Sequence, residues 1–217
     1  MIYLLGGPPR VGKSVVSTTI TKRHGISGVS TDSLGAVLEN ALDSKTAPGL
    51  FVCERLNEMA LVDRIHLMAK NTSKRIDWQV EEACATWMAV PPFIQREEDE
   101  GRDVLIEGVA VLPQLVSQLE HPDCRAVFVG NQGDNLEENI RRSAEENEND
   151  WMRDAGDDYV NAFGIFVWQM SRYIEKEARE RGLAYVEMGD MPFGDAVETV
   201  VDSLLERSGR GAHPPGM

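Results

Sequence analysis

Eight residues near the amino end, Gly7-Pro8-Pro9-Arg10-Val11-Gly12-Lys13-Ser14, fit the pattern G-x-x-x-x-G-K-[ST] at every fixed position. No other stretch restricts the fold as tightly, because the pattern works only as a turn between a strand and a helix. Both neighbours are present. Residues 2–5 form a short apolar run that suits a buried parallel strand. Residues 13 to about 23 read as a helix stopped near Gly25. Gly7 and Gly12 admit backbone conformations that a Cβ resists. Successive N–H groups then turn inward at a helix N-terminus and cradle phosphate oxygens. In that arrangement the Lys13 ammonium bridges β- and γ-phosphates, and the Ser14 hydroxyl reaches Mg²⁺. The loop from Gly7 through Val15 (Pro8, Pro9, Arg10 and Val11 included) is therefore the expected contact for ATP.

The rest of the chain alternates in the same way. Residues 26–31, 104–106, 126–129 and 184–186 read as four further short strands. Asp32 is placed to cap a helix carrying Leu34, Val37, Leu38 and Leu42. Residues 46–49 form a loop. The pattern is helical from about 52 to 88, with Leu61, Ile65 and Met68 on one face. Val80, Ala83, Cys84, Trp87 and Met88 follow helical spacing on another, so Cys84 is expected to be a small buried hydrophobe. Pro91-Pro92 ends the run and opens a helix to Glu100-Gly101. Helices are also expected from 134 to about 147, from 160 to Gly182, and through Val197, Val200, Val201, Leu204 and Leu205. Short strands alternating with helices indicate an α/β fold with a five-stranded parallel sheet. At 217 residues the expectation is one domain over 1–207, followed by a disordered Gly- and Pro-rich tail at 208–217.

Charge and cysteine usage narrow the partners. A net charge of −14 and a pI near 4.7 repel phosphate backbones and anionic membranes at long range. A small anionic ligand remains compatible, because local N–H groups override the global sign. Cys53, Cys84 and Cys124 form no C-x-x-C pair, so neither a disulfide framework nor a zinc site is indicated. No run of about 20 apolar residues marks a membrane span. The first residues lack the basic start and length of a signal peptide. The expected compartment is the cytoplasm. Apolar Trp87, Phe166 and Trp168 suit either the core or a homodimer surface.

Three further groups carry candidate chemistry. Ligands of a parallel sheet gather at the carboxyl ends of its strands. Asp32, just past strand two, should face the phosphate loop and either accept a proton from an acceptor hydroxyl or simply cap its helix. Glu107 ends strand three, where an acid can hold Mg²⁺ directly or through water. Arg141 and Arg142, with Arg153 beyond them, lie where a lid would close over the γ-phosphate. The segment 134–150 holds seven acids against those first two arginines. Helical pairs Glu137–Arg141 and Glu138–Arg142 would explain them equally well. Arg10 adds a cation within the loop itself. The turn at Gly189-Asp190 is placed to meet the nucleotide base.

The block Ile2-Tyr3-Leu4-Leu5-Gly6-Gly7-Pro8-Pro9-Arg10-Val11-Gly12-Lys13-Ser14, with Val29-Ser30-Thr31-Asp32-Ser33 and Leu105-Ile106-Glu107-Gly108-Val109, resembles the 2-phosphoglycerate kinase-like proteins. These sit among P-loop small-molecule and nucleotide kinases, with zeta toxins and chloramphenicol phosphotransferases. The resemblance implies a five-stranded parallel sheet, ATP with Mg²⁺, and transfer to a small acceptor hydroxyl. It makes Lys13 and Ser14 the phosphate and metal residues and Asp32 an acceptor-side residue. Two departures are visible. The helix after Asp32 continues Leu34-Gly35-Ala36-Val37 with no arginine, and the lid region has no His-x-x-Arg pattern.

The expected activity is thus ATP-dependent phosphoryl transfer to a small molecule. A nucleotide kinase, and an ATP-binding regulatory or toxin-like module acting through a partner, are the alternatives. The acceptor is assigned to residues 34–92, which show helices but no recognisable chemistry.

Overall fold

The computed structural model describes residues 1–119, 123–146, 148 and 150–205. The expected tail at 208–217, and residue 147 at the end of an expected helix, lie outside them.

Five strands are present: β1 (Ile2–Gly6), β2 (Ser27–Ser30), β3 (Val104–Gly108), β4 (Cys124–Gly130) and β5 (Ala184–Glu187). They form one parallel sheet in the order β2-β3-β1-β4-β5. Parallel neighbours need crossovers, and helices supply them. These are α1 (Lys13–His24), α2 (Thr31–Ala41), α3 (Val52–Glu58), α4 (Leu61–Ala69), α5 (Thr72–Thr86), α6 (Val90–Asp99), the short α7 (Pro113–Val116), α8 (Leu136–Glu145), α9 (Asp157–Glu180) and α10 (Phe193–Leu205). β1 and β3 are buried along their whole length, as apolar strands covered on both faces must be. In register, Leu5 of β1 and Ser30 of β2 both lie opposite Glu107 of β3. That alignment brings the carboxyl ends of the three strands to one edge, where α1 and α2 begin.

Several expectations change. Asp32 does not cap α2. Ser30 is the cap, its Oγ accepting from the Asp32 N–H at 3.1 Å, so Asp32 sits in the first turn. Residues 46–49 are not wholly a loop, because Pro48 opens a 3-10 turn, Pro48–Phe51. The helical run 52–88 divides into α3, α4 and α5, followed by a 3-10 turn at Trp87–Ala89. The buried stripe of α5 is Arg75, Gln79, Ala83 and Thr86. Cys84 is exposed, not a buried hydrophobe, and Met88 is exposed with it. The apolar spacing misplaced this face because α5 turns Arg75, Gln79 and Ala83 toward a cavity rather than packing on the sheet. Phe166 is wholly buried in the core, and Trp87 and Trp168 pack half-buried against it. Among the described residues, no helix is long and apolar enough to cross a membrane.

Candidate functional site

The loop between β1 and α1 is shaped by two glycines. Gly12 takes φ +97° as it enters α1, a value that L side chains rarely adopt. A Cβ on Gly7 would lie 2.6 Å from the Val129 carbonyl oxygen on β4. Pro8 and Pro9 carry no N–H, so the amides free to meet an anion begin at Arg10. Arg10, Val11 and Gly12 donate their amides to no acceptor among the described residues. Pro8 instead offers its carbonyl, which accepts from the Lys13 ammonium at 2.7 Å.

Lys13 is 7% exposed. Burial pulls its pKa down to about 8, while the nearby Glu107 and Asp32 carboxylates act in the opposite direction. One carbonyl satisfies one of three ammonium donors, so the group is set up for an anion. Glu107 accepts from the Ser14 hydroxyl at 3.3 Å. Its own pKa is raised, chiefly by burial and also by Asp32, against the pull of Lys13. Ser14 and Glu107 together fit a hard cation that keeps most of its oxygen ligands from water and phosphate.

Asp32 points into a cavity of about 510 Å³ that opens beside Pro9 of the loop. Its carboxylate accepts no hydrogen bond among the described residues, since only its backbone N–H is engaged. The far wall comes from α4, α5 and α9. Arg64, Arg75, Gln79, Glu82 and Tyr159 line it, with Cys53 of α3. Gln79 joins two of these: its Oε1 accepts from Arg75 at 3.2 Å and its Nε2 donates to Glu82 at 2.9 Å. Glu82 also accepts from the Cys53 thiol at 3.4 Å. Burial raises the Glu82 pKa and lowers that of Arg75.

The arginines of this cavity come from 64 and 75. Sequence spacing missed them because a charged residue on a helix reads as solvated face. The one available signal was Arg75-x-x-x-Gln79, a polar pair at i, i+4 on α5.

Arg10 turns toward α8 and the segment at 150–151. It has φ +66°. Its guanidinium donates to Asp150 at 2.6 Å and Ser143 at 3.2 Å, and lies 5.6 Å from the Trp151 ring centroid. Arg141 instead bonds Asp157, and Arg142 bonds Asn139 at 2.5 Å. The helical pairs expected from 137 and 138 do not account for them, and neither arginine lines the cavity. Arg153 is exposed. Beyond β5, Met188 and Phe193 abut Gly12, so the turn at Gly189-Asp190 runs beside the phosphate loop.

No protein-family model matches the chain. The chain is 24% identical to the 2-phosphoglycerate kinase of Thermococcus kodakarensis over 208 residues, which is 95% of this chain and 67% of that protein. It is 25% identical to the 2-phosphoglycerate kinase of Methanothermobacter thermautotrophicus over 210 residues, 95% of this chain and 64% of that one. The chain spans about two thirds of the length of these curated relatives. Among solved structures, an unliganded sugar kinase from Janibacter sp. HTCC2649 superposes with a TM-score of 0.51 at 12% identity, over 94% of this chain and 93% of that one. The fold is that of the P-loop kinases, and the likeness to 2-phosphoglycerate kinases covers nearly the whole chain.

Proposed function

We propose that this P-loop chain moves the γ-phosphoryl group of ATP to a hydroxyl of a small molecule. The observation that carries the reading is the buried Lys13, held by a loop carbonyl and under the charge of Glu107 and Asp32, with Asp32 lining a cavity beside the loop and its carboxylate accepting no hydrogen bond among the described residues. The residues fit the group: free amides from Arg10 onward, an under-bonded ammonium and a Ser14–Glu107 oxygen pair match a triphosphate with its cation. When bound, Mg²⁺ neutralises charge on the β- and γ-oxygens.

The protein's own part is positioning and charge. Lys13 and the loop amides hold the phosphate tail. Ser14 and Glu107 hold the cation. Asp32 orients the acceptor hydroxyl and takes its proton as the new oxygen–phosphorus bond forms and the bond to ADP breaks. Arg10 is the cation carried by the loop. Arg141 and Arg142 join it only if α8 moves inward.

The test is ADP release across a panel of hydroxylated metabolites, nucleoside monophosphates included. A specific acceptor is expected to raise the rate. Lys13→Ala is expected to abolish that stimulation while the protein stays folded by circular dichroism. Asp32→Asn is expected to cut transfer far more than ATP affinity. A stimulated rate that survives Lys13→Ala removes the reading. Equal loss of transfer and ATP affinity in Asp32→Asn returns Asp32 to a structural role.

A further inference from the structure

A phosphate tail at Lys13 with its γ end toward Asp32 points at the β2–β3 side of the sheet. The nucleoside then leaves the loop on the opposite side of β1, where β4 and β5 end. Two turns form that side, residues 131–135 after β4 and 188–192 after β5. Glu187 ties them together. Its Oε1 accepts from the Gln132 and Gly189 N–H groups at 2.7 and 3.0 Å, and its Oε2 accepts from the Tyr185 hydroxyl at 2.7 Å. The turns meet backbone to backbone. A Cβ on Gly189 would lie 2.8 Å from the Gly133 nitrogen and 2.7 Å from Asn131 Oδ1, so no ring slides between them.

The turns also spend their polar groups within the protein. The Gly133 N–H donates to Asn131 Oδ1 at 2.9 Å, and the Met188 N–H to the Gly130 carbonyl at 2.8 Å. The Gln132 carbonyl accepts from the Trp168 indole at 3.2 Å, and the Gly133 and Pro192 carbonyls accept from the Leu136 and Ala196 N–H groups. What they present beside the phosphate loop is apolar. Phe193 and Met191 are 47% and 37% exposed. A Cβ on Gly12 would lie 2.7 Å from Phe193 Cε2, so the Phe193 ring packs against the loop itself. An exposed aromatic ring at that place is a platform for another flat ring, because every base has a π face.

We infer that Phe193 holds the base of the nucleotide by stacking, with its hydrogen-bonding edge little read, so that the chain prefers purine over pyrimidine triphosphates and separates adenine from guanine weakly. This deepens the phosphotransfer reading and rests on it. Glu187 is the positioning residue, since it fixes the turn that carries Met188 and Phe193 onto Gly12.

Calorimetric titration without any acceptor tests it, using the magnesium complexes of ATP, GTP, CTP and tripolyphosphate, the last being a phosphate tail with no base. ATP and GTP are expected to bind with Kd values within about 10-fold of each other, and both roughly 10-fold or more tighter than CTP and tripolyphosphate. Phe193→Ala is expected to bring ATP and GTP down to the tripolyphosphate level while tripolyphosphate binding stays as in the native protein, which also reports an intact loop. Phe193→Trp is expected to keep the purine advantage. Should Phe193→Ala fail to fold, Phe193→Leu keeps the bulk and removes the π face, with the same loss expected. The inference is overturned if tripolyphosphate binds the native protein as tightly as ATP, if GTP falls to the tripolyphosphate level, or if the ATP advantage survives Phe193→Ala and Phe193→Leu. Tripolyphosphate binding with no base advantage leaves the phosphate loop standing and removes the stacking site alone. No binding by any of the four removes the phosphotransfer reading, and the stacking site with it.

Discussion

Glu82 shows how a single residue sets the charge of the cavity beside the phosphate loop. The groups that face it come from three helices: Asp32 on α2, Cys53 on α3, and Arg75 with Gln79 on α5. Burial raises its pKa most and Asp32 adds to that, whereas the Cys53 thiol, Arg75 and Gln79 favour the ionised form. The sign for an anionic acceptor is then determined. With Glu82 protonated, the Arg75 charge is uncompensated and anion binding is strongest. As pH rises through the raised pKa, above the ordinary 4.5, Glu82 ionises and competes for Arg75. The KM of a carboxylate acceptor is expected to climb over that range, and Glu82→Gln to flatten the climb. A pH–KM profile of both proteins checks it, and parallel profiles would exclude Glu82 as the cause. None of this was legible in the sequence, where Glu81-Glu82 looks like ordinary solvated helix. The places of Asp32, Lys13 and Ser14 were legible, because each lies just past a strand end.

At the scale of elements, one arginine ties three parts together. Arg10 belongs to the phosphate loop, Ser143 to α8, and Asp150 and Trp151 to the segment that leads into α9. Arg10 holds the Asp150 carboxyl below the usual aspartate range. Its own φ of +66° costs on the order of 1 kcal/mol for a residue with a Cβ, a strain offset by these contacts. Trp151 also walls the cavity that Asp32 lines, so the Arg10 contacts join the phosphate loop to that cavity. A double-mutant cycle of Arg10→Ala and Asp150→Ala is expected to give a coupling energy of roughly 1 kcal/mol or more. Hydrogen exchange in α8 should rise in either single variant. Additive effects with unchanged exchange would show that the hook carries no load. The sequence placed α8 and its arginines, but not the contact that Arg10 makes with Ser143 and Asp150. Helical spacing sees i, i+4 neighbours and is blind to a partner 140 positions away.

For the whole molecule, ligand binding and folding are linked. Anything that binds the folded loop but not the open chain stabilises by mass action, about 2.7 kcal/mol at 100 times its Kd. For a chain of this size that corresponds to roughly 5–10 °C in Tm. MgATP at such a concentration is expected to raise the Tm by that amount in the native protein and not in Lys13→Ala. An unshifted native Tm in differential scanning calorimetry would remove the nucleotide site. The five strands, the helices between them and the turn at Gly7–Gly12 were readable because each is decided within a short window, by φ/ψ sterics at glycine and by the period of apolar residues. Strand order, the buried face of α5 and the pairing of residues far apart were not. Ser14 meets Glu107 across 93 positions, and Arg64 and Arg75 converge on a cavity that no single helix displays. Such meetings are set by how the packed layers register against one another. The buried Arg75 is held over the Phe166 ring and against Gln79 by this packing.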